Sequence, residues 1–182
     1  MSEVGTSLHF WHAPSVDVRR FVTACEVACR IVASNPLWTC VVPFDRDAEP
    51  KLLGAWSGRV MAWSYSEDYG LGLDFYEGGR FVAQASFIWG TALTAEPPGG
   101  SFPDEIRSRL FGDDALPESG ASELERVLAD LEAGLISGST VRDRVAKIFE
   151  LAAFEWLSPE TCLQLGLADM RWEYPDAEDI GL

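Results

Sequence analysis

The chain carries little with which to do base, metal or phosphate chemistry. His9 and His12 are the only histidines in 182 residues. In a strand their spacing of three sends them to opposite faces, so they cannot chelate one metal side by side. They read as two half-exposed residues of an aromatic N-terminal strand. Four cysteines are present, but Cys25-x3-Cys29 with distant Cys40 and Cys162 lacks the close paired spacing of zinc ribbons and iron–sulfur sites. Reduced, core-packed thiols are expected. There is no Gly-x-Ser-x-Gly elbow, no Walker loop and no Gly-x-Gly-x-x-Gly opening a helix. Tyr69-Gly70-Leu71-Gly72 precedes a strand rather than a helix and so lacks the aligned backbone donors that cradle a phosphate. No metal and no cofactor are expected.

Long apolar runs are missing too. Nothing approaches the roughly 20 residues needed to cross a bilayer. The N-terminal Met-Ser-Glu-Val-Gly-Thr-Ser lacks the basic head and apolar stretch of a secretory signal. The expected address is the cytoplasm, away from membranes. Lysine is as scarce as histidine, with Lys51 and Lys147 against twelve arginines. Together with abundant Ala and Gly, this suggests a GC-rich bacterial source.

Acid is what the chain has in excess. Its net charge is −15; residues 1–90 hold ten acids against seven bases, and residues 91–182 nineteen against seven. Such a field repels phosphate backbones and anionic membrane surfaces. A basic protein partner suits it, with solubility as the plain alternative. Seven Trp, ten Phe and four Tyr are too many large hydrophobes for a disordered acidic segment.

The element pattern is that of an α+β domain: an antiparallel sheet of about five strands, one N-terminal helix, and a C-terminal group of three or four helices. A single domain over 1–182 divides into a sheet-rich part (1–92), a connector (93–121), a helical part (122–168) and an acidic tail (169–182). Residues 8–12 read as a strand. Ser15 is placed to cap a helix in which Val18, Phe21, Val22, Cys25, Ala28, Cys29 and Val32 share one face, ending at Asn35-Pro36. Strands follow at 38–44, 52–56, 59–66, 71–76 and 80–89, joined by polar or Gly-containing turns. In the connector, Pro103 to Phe111 reads as a short helix and Gly112-Asp113-Asp114 as a turn. Ser122-x-x-Glu125 matches a capping box opening a helix that runs to Gly138. Thr140 with Asp143 opens a second helix, and Ser158-Pro159-Glu160 a third that ends at Gly166.

The last hairpin yields the candidate site. If Gly78 and Gly79 are the two loop residues, Tyr76 faces Phe81 and Asp74 faces Ala83. One face then carries Gly72, Asp74, Tyr76, Phe81, Ala83, Ala85, Phe87 and Trp89; the other carries Leu71, Leu73, Phe75, Val82, Gln84, Ser86 and Ile88. Both are largely apolar, so something should pack on each. A loop one residue longer would shift this register. Asp74 would sit among aromatics, with a raised pKa suited to acid–base work or to binding a cation. Asp74, Tyr76, Trp63 and Trp89 are the ligand-binding candidates, and no catalytic set accompanies them. The plain alternative is a strand acid at the sheet edge, paired with an arginine such as Arg59.

The leading functional expectation is a non-enzymatic bacterial protein-binding domain, of immunity-protein or effector-chaperone type, with a basic partner. A small-molecule-binding protein or enzyme with a pocket around Asp74 is the second. A nucleic-acid mimic using the acidic C-terminal half is the third.

Overall fold

A computed structural model describes residues 4–90, 97–111, 116–153 and 157–181. In chain order the elements are β1 (Val4–Trp11), α1 (Ser15–Ala24), β2 (Cys29–Ser34), β3 (Trp38–Pro43), a 3-10 turn (Arg46–Ala48), α2 (Glu49–Ala55), β4 (Arg59–Ser66), β5 (Gly70–Glu77), β6 (Arg80–Ile88), β7 (Gly99–Ser101), α3 (Asp104–Leu110), α4 (Glu118–Glu132), α5 (Gly138–Ile148), α6 (Pro159–Met170) and β8 (Glu178–Ile180). The fold is α+β with an antiparallel sheet. Among the described residues it has eight strands rather than about five, hydrogen-bonded in the order β7-β6-β5-β4-β1-β3-β2-β8.

The N-terminal helix is half its expected length. Val27 N–H returns to Val22 O and Glu26 takes a left-handed φ of +53°, which closes α1 by satisfying its last carbonyls. Ser15 is its first residue rather than a side-chain cap. Residues 29–34, read as more helix, form β2. Its first four residues are all buried, and a strand covered on both faces has no alternation to set against a helical period. Residues 52–56 are corrected from strand to helix: Pro50 sits in the first turn of α2, where its missing N–H costs nothing, and Leu52 and Leu53 go into the core.

Helix α4 starts at Glu118, so Ser122 and Glu125 lie inside it and form no capping box. It stops where Gly134 adopts φ +68°, leaving Leu135 exposed. Helix α5 opens after Ser137, ahead of Thr140. The start of α6 is as read, with Ser158 Oγ accepting the Thr161 N–H at 3.0 Å. Gly166, non-helical at φ +67° and ψ 167°, ends the first segment of α6 as expected, and a second short segment runs on from the kink to Met170. The acidic tail contributes β8, which pairs with β2. The connector's residues up to 96 and the Gly112-Asp113-Asp114 turn lie outside the described residues.

The residues fall into two compact units, one chiefly Ser64–Phe75 with Val82–Glu150, the other chiefly Gly5–Trp63 with Tyr76–Phe81 and Leu151–Leu182. In the second, the three strands β1, β3 and β2 are covered on both faces. Leu8, Phe10, Ile31 and Val41 face Val18 and Val22 of α1 and Leu52 of α2, while Val32, Cys40 and Val42 face Leu157 and Cys162. Arg30 ties this unit together. Its guanidinium donates to Asp179 at 2.6 and 3.0 Å and to the Cys162 carbonyl at 2.6 Å. In the first unit, α4 and α5 pack on one face of the strands. Arg142 of α5 lies 5.1 Å from the Tyr65 ring centroid. A Cβ on Gly100, which pairs with Phe87, would meet Leu128 of α4 at 2.7 Å. Those helices lie on the face of Tyr65 and Phe87.

Candidate functional site

Strand β5 alternates a large apolar residue with a small or polar one: Gly70, Leu71, Gly72, Leu73, Asp74, Phe75. Leu71, Leu73 and Phe75 are buried, while Gly70, Gly72 and Asp74 are half-buried. Successive residues of a strand face opposite ways, so Asp74 belongs to the face that α4 and α5 leave uncovered.

Its neighbours on β6 depend on register. Gly78 and Gly79 both have left-handed φ, +57° and +74°, as a two-residue type I′ turn demands. At the turn Tyr76 meets Phe81 edge-to-face, with ring centroids 5.6 Å apart. Continued unchanged, that register would pair Tyr69 with Ile88. Instead Trp89 N–H bonds to Tyr69 O at 3.2 Å, so β6 holds one extra residue between the two points, a β-bulge. The expectation of two apolar faces therefore fails. Ala83, Ala85, Phe87 and Trp89 join Leu71, Leu73 and Phe75 on the helix-covered face, where all are buried. The other face receives Gln84, Ser86 and Ile88.

This face carries a groove of about 340 Å³ whose lining includes Ser64, Tyr69, Gly70, Gly72, Ser86 and Ile88. The two glycines leave bare backbone as its floor. A Cβ on Gly70 would lie 2.5 Å from Phe87 O, and one on Gly72 2.7 Å from Ser64 Oγ. Ser64 Oγ donates to Gly72 O at 3.3 Å, and Tyr69, half-exposed, stands at the rim. Asp74 follows Gly72 on the same face. The Gln84 amide donates to its carboxylate, whereas Oδ1 is buried with no partner. Desolvation pushes the Asp74 pKa up, and the Gln84 bond opposes that rise.

The four candidate residues do not form one cluster. Trp63 is buried with its ring centroid 6.3 Å from that of His9. Trp89 is buried, its indole N–H donating to Glu67 O at 2.7 Å. Tyr76 packs against the apolar cluster of α1 and α2. Arg59 pairs with Glu77 at 3.0 Å rather than with Asp74, which shares the strand face of the groove without lining it. Ser64, Tyr69 and Ser86 were not among the sequence candidates. The signal for them was the glycine at alternate positions of β5, which in a strand marks a close approach of backbone to something else.

His9 is fully buried rather than half-exposed. Its Nε2 contacts Ser7 Oγ at 2.9 Å, Nδ1 has no partner, and burial lowers its pKa to about 3. The imidazole is a neutral core group with no access to substrate. All four cysteines are free. Burial pushes Cys29 up to about 12 and Cys162 to about 11, and raises Cys40 further, so these thiols stay protonated at neutral pH. Among the described residues no group of three or more His, Cys, Asp or Glu could hold a metal ion, and no helix is long and apolar enough to cross a membrane. A larger cleft, about 760 Å³, has a lining that includes Glu123, Arg126, Arg144 and Lys147, and its two arginines are already paired with acids of α4. Arg144 bridges Glu123 at 2.6 Å and Asp130 at 2.7 Å, and Arg126 bonds Glu123 at 2.8 Å.

Set against known protein families, curated proteins and solved structures, the chain matches none.

Proposed function

We propose that this chain is a non-enzymatic bacterial protein-binding domain, of the immunity-protein or effector-chaperone kind, and that it engages a basic partner through the uncovered face of β4, β5 and β6. The observation that carries the reading is the asymmetry of this hairpin region. Helices α4 and α5 pack on one face, and the other keeps a groove lined by the backbone of Gly70 and Gly72. Asp74 adds a carboxylate to the same strand face. The net charge of −15 favours a cationic donor and speeds its encounter.

The test is affinity capture from the source organism at low salt, then reconstitution of the complex from purified components. The expected result is one stoichiometric basic protein whose association slows steeply between 50 and 500 mM salt, as steering by charge requires (salt range on the order of that which shortens the Debye length severalfold). Absence of any stoichiometric partner at low salt overturns the proposal. The second reading, a small-molecule site around Asp74, is favoured by the groove volume and the raised carboxylate pKa. It predicts that a low-molecular-weight compound co-purifies with the chain and is lost in Asp74→Asn.

A further inference from the structure

We infer that Trp172 anchors one arginine side chain of a basic protein, whose guanidinium stacks on the exposed indole and pairs with the carboxylate of Asp169. The basic partner rests on the protein-binding reading. The surface is a separate one, in the unit that contains α6 and β8.

Trp172 is 91% exposed, and its backbone is held. Beyond Gly166, bonds from Arg171 N–H to Leu167 O, from Trp172 N–H to Asp169 O and from Tyr174 N–H to Met170 O wind the chain into successive turns. Leu167, Met170 and Tyr174 take the inward side of these turns and pack in the cluster of Val32, Val42 and Leu157. Trp172 takes the outward side. An aromatic ring on a fixed backbone meets little ordering cost when it binds, and tryptophan is among the commonest energetic anchors of protein interfaces.

Charge selects what the ring anchors. Asp169 stands three residues before Trp172 in a hydrogen-bonded turn, which puts their Cβ atoms about 5–6 Å apart, and Glu173 follows directly. Both carboxylates are exposed, and neither forms an ion pair among the described residues. Glu178 and Asp179 of the same tail are taken by Arg19 and Arg30. Arg171, the base beside the ring, donates its Nε–H to the Ala177 carbonyl at 2.9 Å.

An aromatic ring flanked by free carboxylates repels phosphate, which counts against a stacked nucleic acid and against an anionic membrane. A second copy of the chain would bring another −15 of charge. Arginine answers both halves of the surface. Its planar guanidinium stacks on an aromatic face and offers a fork of donors to a carboxylate, whereas an ammonium is a strongly hydrated point charge. The chain makes the same contact internally at Phe44, Phe102 and Tyr65, each with an arginine 5.1 to 5.7 Å from the ring centroid. Among the described residues Trp172 has no such cation.

The experiment is a 15N NMR titration of the full chain with three blocked tripeptides: Gly-Arg-Gly, Gly-Lys-Gly and Gly-citrulline-Gly, the last keeping the shape of arginine without its charge. Gly-Arg-Gly is expected to shift the Trp172 indole N–H and the Asp169 and Glu173 amides to saturation. It should bind about threefold more tightly than either of the others, the worth of one exposed cation–π contact. Trp172→Leu should remove that preference and Asp169→Asn should reduce it, with the melting temperature unchanged in both because both side chains are exposed. Equal binding of the three peptides, shifts that spare Trp172, dimerisation lost in Trp172→Leu, or insertion of this ring into phosphatidylcholine vesicles overturns the inference. A captured partner that binds the Trp172→Leu chain with unchanged affinity sinks the anchor alone; peptide binding at Trp172 with no partner found sinks the protein-binding reading alone.

Discussion

Trp89 donates its backbone N–H to Tyr69 O at 3.2 Å, one residue out of step with the pairing of Tyr76 and Phe81 at the turn. That single offset puts Gln84 beside Asp74, and it makes the neighbouring glycines differ in what they tolerate. Gly70→Ala drives a methyl onto the Phe87 carbonyl at 2.5 Å, which is backbone and cannot rotate away. A loss of about 2 kcal/mol is expected in urea unfolding. At Gly72 the obstacle is Ser64 Oγ, which can turn aside, so Gly72→Ala should cost less than about 1 kcal/mol. Equal losses would mean that the Ser64 hydroxyl is held in place and cannot turn aside.

His9 should make stability depend on pH in one direction. Its folded pKa, about 3, lies below the ordinary 6.5. The unfolded chain therefore binds a proton that the folded chain refuses between those values. The stability contributed by the neutral imidazole is complete above 6.5 and drains away as pH falls toward 3, at up to about 1.4 kcal/mol per unit. Carboxylates titrate in the lower part of the same window, so the measurement is the difference between the wild-type chain and His9→Phe at pH 7.5 and at pH 5 (conditions chosen to be roughly one unit or more either side of the ordinary value). The difference should shift against the wild type on acidification. A pH-independent difference would show that His9 is reached by solvent.

Asp74 carries the opposite sign. Its folded pKa is raised by desolvation, so the ionised form is a burden on the folded state at neutral pH. Asp74→Asn should raise the melting temperature at pH 7, and the gain should close as pH falls through the carboxylate range. A lowered melting temperature would place this carboxylate among the residues that hold the fold together.

Arg30 is 2% exposed in its side chain and Asp179 18%. Asp179→Asn leaves the guanidinium charge in the interior without a counter-charge, held by one amide oxygen, the Cys162 carbonyl and the Phe44 ring, 5.6 Å from the centroid. A loss of about 3 kcal/mol is expected, because removing one partner strands the other charge. Limited proteolysis should then cut first near β8, whose side chain it was. Unchanged stability would assign the work of docking β8 to its backbone pairing with β2.

Much of the meander was legible because its strands have distinct faces. Arg59–Ser66 coincides with β4, and the two glycines of the last turn named their own conformation. The failures fall where periodicity carries no information. In Cys29–Ser34 burial on both faces erased alternation, and the apolar spacing of α1 ran on into it unbroken. In Glu49–Ala55 seven residues are too few to show a helical period, and Leu52 and Leu53 side by side look like strand. Strand β8 has three residues, and pairing with β2 rather than any local preference makes it a strand. The site suffered most from the bulge. Asp74 was found from its composition, but its true neighbours depended on one extra residue in β6 that no local signal announced, and Trp89 consequently changed face.

The sheet's outermost strands, β7 and β8, have three residues each. One reads Gly99-Gly100-Ser101, with no apolar side chain to recruit a neighbour. The other carries Glu178 and Asp179, both committed to arginines. An exposed row of unpaired amides templates further strands when it is long, flat and apolar. These margins are short and polar, so the sheet's borders do not invite edge-to-edge polymerisation.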